Sequence, residues 1–136
     1  MDSKGHAKLG DFGTCIHLNE SVTKKCKVGS WDHMPPETLR SLSIHFSFDW
    51  WLIGICIYQM LLGRLPFKEE KELEYYDNKF KIFTKEREKI KNLLGLFSGL
   101  LNKDPIERLQ SANTIKNDPF YKSNLNVNSL EQREIE

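Results

Sequence analysis

The stretch that most constrains this chain is Trp50-Trp51-Leu52-Ile53-Gly54-Ile55-Cys56-Ile57-Tyr58-Gln59-Met60-Leu61-Leu62, which is apolar on almost every face of a helix. It is shorter than the ~20 residues needed to cross a bilayer. A helix that is apolar all round needs packing on every side; the rest of the chain is expected to cover two faces and to leave some of Trp50, Ile53, Ile57 and Leu61 exposed. Both ends are marked. Asp49 can cap the start through its carboxylate. Gly63 is a natural stop and Pro66 forbids continuation.

The wrapping material lies mostly downstream. Lys68 to Lys81 is charge-rich and reads as a solvated helix. Thr84 can cap a second long helix, whose Ile90, Leu93, Leu94, Phe97, Leu100 and Leu101 form one stripe at three- and four-residue steps. Asp104-Pro105 reads as N-cap plus first residue of a short helix. Ser111 to Lys116 offers one more turn, closed by Asp118-Pro119. Upstream, Asp2-Ser3-Lys4-Gly5 is a turn signal and His6 to Gly10 a short extended piece. Lys24 to Pro36 reads as loop, its backbone held extended by Pro35-Pro36. From Ser123 the chain is polar and is expected to be weakly ordered unless docked. The expectation is one mainly helical domain after a short extended start, which suits 136 residues.

Charge and cysteines exclude several functions. The 20 basic and 19 acidic side chains leave a net charge of +1, with no field to steer nucleic acid or a membrane surface. Lys24, Lys25 and Lys27 form a basic cluster too small for nucleic-acid binding, which needs a wider patch with aromatic partners. Cys15, Cys26 and Cys56 are odd in number and irregularly spaced, which argues for a reducing compartment. Together with His6, His17 and His33 they fit no tight zinc spacing. Met1 to Gly13 has no apolar h-region of a signal peptide.

Four separated segments carry a recognisable chemistry. They are Asp2 to Gly13 (DSKGHAKLGDFG), Gly29 to Glu37 (GSWDHMPPE), Asp49 to Phe67 (DWWLIGICIYQMLLGRLPF) and Asp104 to Leu109 (DPIERL). Asp118 to Tyr121 (DPFY) follows. In this order the segments resemble the rear of the C-terminal lobe of a Ser/Thr protein kinase. Asp-Trp-Trp, and the Gly-His pair before Asp-Phe-Gly, point to the AGC group and to protein kinase C within it. The resemblance implies a mainly α fold: a partial kinase C-lobe of activation segment and following helices, with the N-lobe and catalytic loop missing. Residues 1–122 would be the partial kinase domain. Residues 123–136 would begin the C-terminal tail of that group.

The resemblance also implies roles. Asp11 would bind the Mg²⁺ that bridges the nucleotide phosphates, which brings Mg²⁺ and ATP as cofactors. Phe12 would pack inward and orient Asp11, and Gly13 would allow the sharp turn after it. Glu37 and Arg108 would form a buried bidentate ion pair. Asp49 would brace the catalytic loop of a complete kinase. Several positions depart from the pattern. Cys26 stands where the family carries its activation-loop phosphothreonine, leaving Thr23, three residues early, as the regulatory candidate. Ser30 and Trp31 replace Thr-Pro, and Pro35 replaces Ala. Gln59 replaces a Glu that contacts a basic substrate residue, and Gln110 replaces a Gly.

These 136 residues contain no glycine-rich phosphate loop, no strand Lys and no His-Arg-Asp loop. Phosphoryl transfer works mainly by positioning and charge stabilisation, and of those parts Asp11 alone is here. Three functions compete. The chain is a piece of an ATP-dependent Ser/Thr kinase, inactive alone and acting inside the cell on protein substrates. Or it is a non-catalytic kinase-like module that binds another protein, such as a related kinase. Or it is a degenerate gene product with no selected function; alone, the chain is expected to be captured by a partner or chaperone, or to precipitate. None involves nucleic acid or a membrane span.

Overall fold

The computed structural model describes residues 2–3, 5–16, 30–41, 44, 46–69, 71–72 and 91–124. Thr23, Cys26, the lysine cluster, the start of the expected second helix and the C-terminal tail lie outside the described residues. Five α-helices are described: α1 (Pro36–Ser41), α2 (Ser47–Leu62), α3 (Leu94–Leu100), α4 (Ala112–Lys116) and α5 (Pro119–Asn124). Two 3-10 turns, Phe12–Thr14 and Lys91–Leu93, complete the list, and no strand occurs among the described residues. No described helix is long and apolar enough to cross a membrane.

The centre of the fold is α2, the expected apolar helix. It ends as its sequence requires. Gly63 adopts a left-handed φ of 68° and its N–H donates to the Gln59 carbonyl at 2.8 Å, a conformation that glycine reaches without a Cβ penalty. Its start differs from expectation. The helix begins at Ser47, and the N-cap position is Phe46, which makes no side-chain cap bond. Asp49 therefore sits within the first turn. There its carboxylate still favours the positive end of the helix dipole. At that start Arg108 donates to both the Ser47 carbonyl and its hydroxyl.

Enclosure of α2 is one-sided among the described residues. Ser47, Trp51, Gly54, Ile55 and Tyr58 are buried, a stripe at helical spacing. They meet Leu96, Phe97 and Leu100 of α3, together with Leu93, Leu101, Phe67 and Ile115. Trp51 stacks on Phe67 with ring centres 5.9 Å apart, and Tyr58 meets Phe97 edge-on at 5.7 Å. On the other side Phe46, Ile53, Met60 and Leu61 are exposed. Trp50 and Ile57, between them, are partly buried against the core. Of the residues expected on an uncovered face, Ile53 and Leu61 are exposed, whereas Trp50 and Ile57 are partly buried. The described residues supply one apolar wall, built by α3 and its flanks.

The second stripe holds in composition but not in continuity. Lys91–Leu93 is a tight 3-10 turn and α3 begins only at Leu94. Asp118-Pro119 both closes one helix and opens the next: α4 ends at Lys116, with the Asp118 N–H donating to the Ile115 carbonyl at 3.0 Å, and α5 starts at Pro119. Asp118 accepts a bond from the Phe120 N–H at 2.9 Å, and Pro119 takes the first helical position, where its missing N–H is no loss.

Where α2 crosses α3 the backbones come close. A Cβ built on Gly54 would lie 2.9 Å from Leu101 Cγ and 3.1 Å from Leu100 Cβ, and both leucines are fully buried. Gly95, in the first turn of α3, has nothing near it. The two glycines should therefore respond oppositely to alanine. Gly95→Ala should raise stability by up to ~1 kcal/mol through helix propensity. Gly54→Ala should lower it, because overpacking costs about 1–3 kcal/mol and outweighs the same propensity gain. Urea denaturation midpoints check both, and a stabilised Gly54→Ala would contradict the close approach.

Candidate functional site

The described polar chemistry gathers at Arg108, whose side chain is fully buried. The turn that carries it is built locally. Asn102 Oδ1 accepts from the Asp104 N–H at 3.0 Å, and Asp104 Oδ1 accepts from the Ile106 N–H at 2.8 Å. The Arg108 N–H closes on the Asp104 carbonyl at 2.9 Å, giving a single turn where a short helix was expected. Gln110 finishes it, donating its amide to the Pro105 and Ile106 carbonyls at 2.7 and 3.3 Å. The next residue, Leu109, donates its N–H to the Gly99 carbonyl at 2.9 Å, which ties the turn to α3.

So positioned, the guanidinium reaches three separate parts of the chain. Nη1 and Nη2 donate to Glu37 Oε1 and Oε2 at 2.7 and 2.8 Å, the fork-on-fork geometry of a strong Arg–carboxylate pair. The partners are 71 residues apart in sequence. Nη1 also lies 3.1 Å from the Ser47 carbonyl and 3.3 Å from its hydroxyl, and Nε donates to the Asn102 carbonyl at 2.9 Å. The guanidinium carbon sits 5.0 Å from the centre of the Trp51 ring, within range of a cation–π attraction. Glu37 itself is held by burial of its neighbours. Met34, Pro35, Pro36 and Thr38 are all buried, and turns from Ser30 to His33 and from Trp31 to Met34 lead into α1.

Asp11 lies in a different setting. It adopts a left-handed backbone, φ 61° and ψ 64°, just before the 3-10 turn Phe12–Thr14. Aspartate tolerates that region better than most residues, at a cost of about 1–2 kcal/mol. The preceding turn is closed by Asp2, which accepts from the His6 N–H at 2.9 Å and lies 3.1 Å from its ring Nδ1. Gly5 takes the left-handed corner with φ 86°. Phe12 does not pack inward: it is 62% exposed. None of the described residues before Met34 is buried, so no apolar wall there receives its ring. Gly13 is exposed beside it.

The structure thus brings Glu37 and Arg108 together and leaves Asp11 and Asp49 exposed and apart from that pair. Thr23 lies outside the described residues. As a metal ligand Asp11 offers two oxygens. No group of three His, Cys, Asp or Glu side chains that could hold a metal ion occurs among the described residues. Mg²⁺ favours six oxygens and often takes most of them from water and phosphate; Asp11 fits as one ligand, and the described residues do not build the remainder of a cage. The supporting residues Ser47, Trp51, Asn102 and Gln110 were not singled out as supports for Arg108 in the sequence. Asn102-x-Asp104 did carry a usable signal, because Asx side chains bond the backbone two residues on.

The comparisons with known proteins meet this geometry. The protein kinase domain matches residues 1–121. The chain belongs to the protein kinase family. This kinase chain is 33% identical over 141 aligned residues to the protein kinase C delta type of Rattus norvegicus, covering 100% of this chain and 20% of that protein. The human protein kinase C delta type gives the same identity and coverage. The G protein-coupled receptor kinase 4 of Rattus norvegicus is 32% identical over 96% of this chain and 24% of its own length. The kinase chain is therefore protein kinase C-like, and it spans about a fifth of the length of these curated relatives.

In this kinase chain the Arg108 pair should dominate stability. Arg108→Ala strands the Glu37 carboxylate, and breaking a buried pair from one side costs ~3–5 kcal/mol. Against a total of ~5–15 kcal/mol, that should lower the thermal midpoint markedly or abolish cooperative melting. Arg108→Lys should recover only part of it, because one ammonium cannot bridge both carboxylate oxygens and the two carbonyls. Calorimetry on the three proteins checks the order; equal stability of wild type and Arg108→Ala would refute it.

Proposed function

We propose that this chain supplies the rear of the C-lobe to an ATP-dependent protein serine/threonine kinase of the AGC group. Such an enzyme transfers a phosphoryl group from ATP to Ser or Thr hydroxyls of protein substrates, inside the cell. The observation that carries the reading is the bidentate Glu37–Arg108 pair joining α1 to the turn at 104–108. It ties the segment from Ser30 to Glu37 to the helical core in a family-matched chain. Asp11 is the residue that would touch Mg²⁺, and Thr23 the candidate for regulation. The domain would run over residues 1–122, with the AGC tail beginning at 123.

These 136 residues by themselves are proposed to be inactive. Their sequence contains no His-Arg-Asp loop to accept a proton from a substrate hydroxyl and no strand Lys for the phosphates. Phosphate transfer to a generic basic peptide should therefore be undetectable. Mg-ATP should give no saturable thermal shift, since a lone exposed carboxylate binds the metal weakly. A shift saturating at micromolar Mg-ATP, and lost in Asp11→Asn, would overturn this.

One observation favours a second reading, a non-catalytic kinase-like module that binds another protein. The exposed Phe46, Ile53, Met60 and Leu61 line the open side of α2. Two of them, Met60 and Leu61, also line an apolar groove of about 240 Å³ with Ile57, Leu93, Leu96, Phe120 and Tyr121. Contiguous apolar surface of this kind marks an interaction site or an aggregation liability. The isolated chain should bind an apolar-surface dye and elute broadly on gel filtration. Ile53→Glu with Met60→Glu should reduce dye binding and sharpen the peak while changing stability by only ~0.5 kcal/mol per exposed site. A sharp monomer peak without dye binding in the wild type would show that the chain closes its own core.

A further inference from the structure

No further inference is drawn: the strongest candidate, the apolar groove that Met60, Leu61, Leu96 and Tyr121 line beside the exposed stripe of α2, carries none because nothing in the structure shows what covers it.

Discussion

A single buried positive charge organises the described part of this molecule. Taking a guanidinium out of water costs several kcal/mol unless its donors are met. Arg108 meets them with the Glu37 carboxylate, the Ser47 carbonyl and hydroxyl and the Asn102 carbonyl, with the Trp51 ring close by. Those groups come from α1, the first two turns of α2 and the segment after α3. None of them can shift much without leaving part of the charge unmet. The planar fork matters as much as the charge, because only a guanidinium can address a carboxylate with two donors and still reach a carbonyl on its far side.

That arrangement also explains which features could be read from the residues alone. The end of α2 was legible, since Gly63 states its own conformation. Its start was not. A capping rule selects Asp49, but the helix begins where Arg108 holds Ser47, and that contact spans 61 residues. The Glu37–Arg108 pairing could be anticipated only from motif order, because spacing along the chain carries no information about a contact so distant. Local rules worked best where the partners are local, as at the Asp2–Gly5 turn and the Ser111–Lys116 turn. They found the stop before Pro119 but not the helix that Pro119 opens, where the Asp118 side chain accepts the Phe120 N–H.

Phe12 and α2 show the limit from the other direction. Apolar character predicts burial only when a wall exists to bury against. Trp51, Ile55 and Tyr58 have α3; Phe12, Met60 and Leu61 have no equivalent among the described residues. Most of the hydrophobic pattern was therefore readable as pattern, whereas the choice of which apolar residues end inside depends on segments that meet in space. The same holds for chemistry. The Asp11 tripeptide can be recognised by eye, yet one carboxylate on a left-handed turn becomes a metal site only when other ligands converge on it.

The close passage at Gly54 has a mechanical meaning. Within the two turns upstream, Ser47 and Trp51 hold the guanidinium; here the bare backbone rests on Leu100 and Leu101. Only glycine lacks a Cβ, so an axial slip of one residue would drive Ile53 or Ile55 into a gap that excludes even a methyl group. Helices α2 and α3 therefore share one register and cannot glide past each other as loosely packed helices do. A dense interior transmits displacement instead of absorbing it. Force applied at α1 through Glu37 would travel along Arg108 and α2 as through a rigid lever, with Gly54 as its notch.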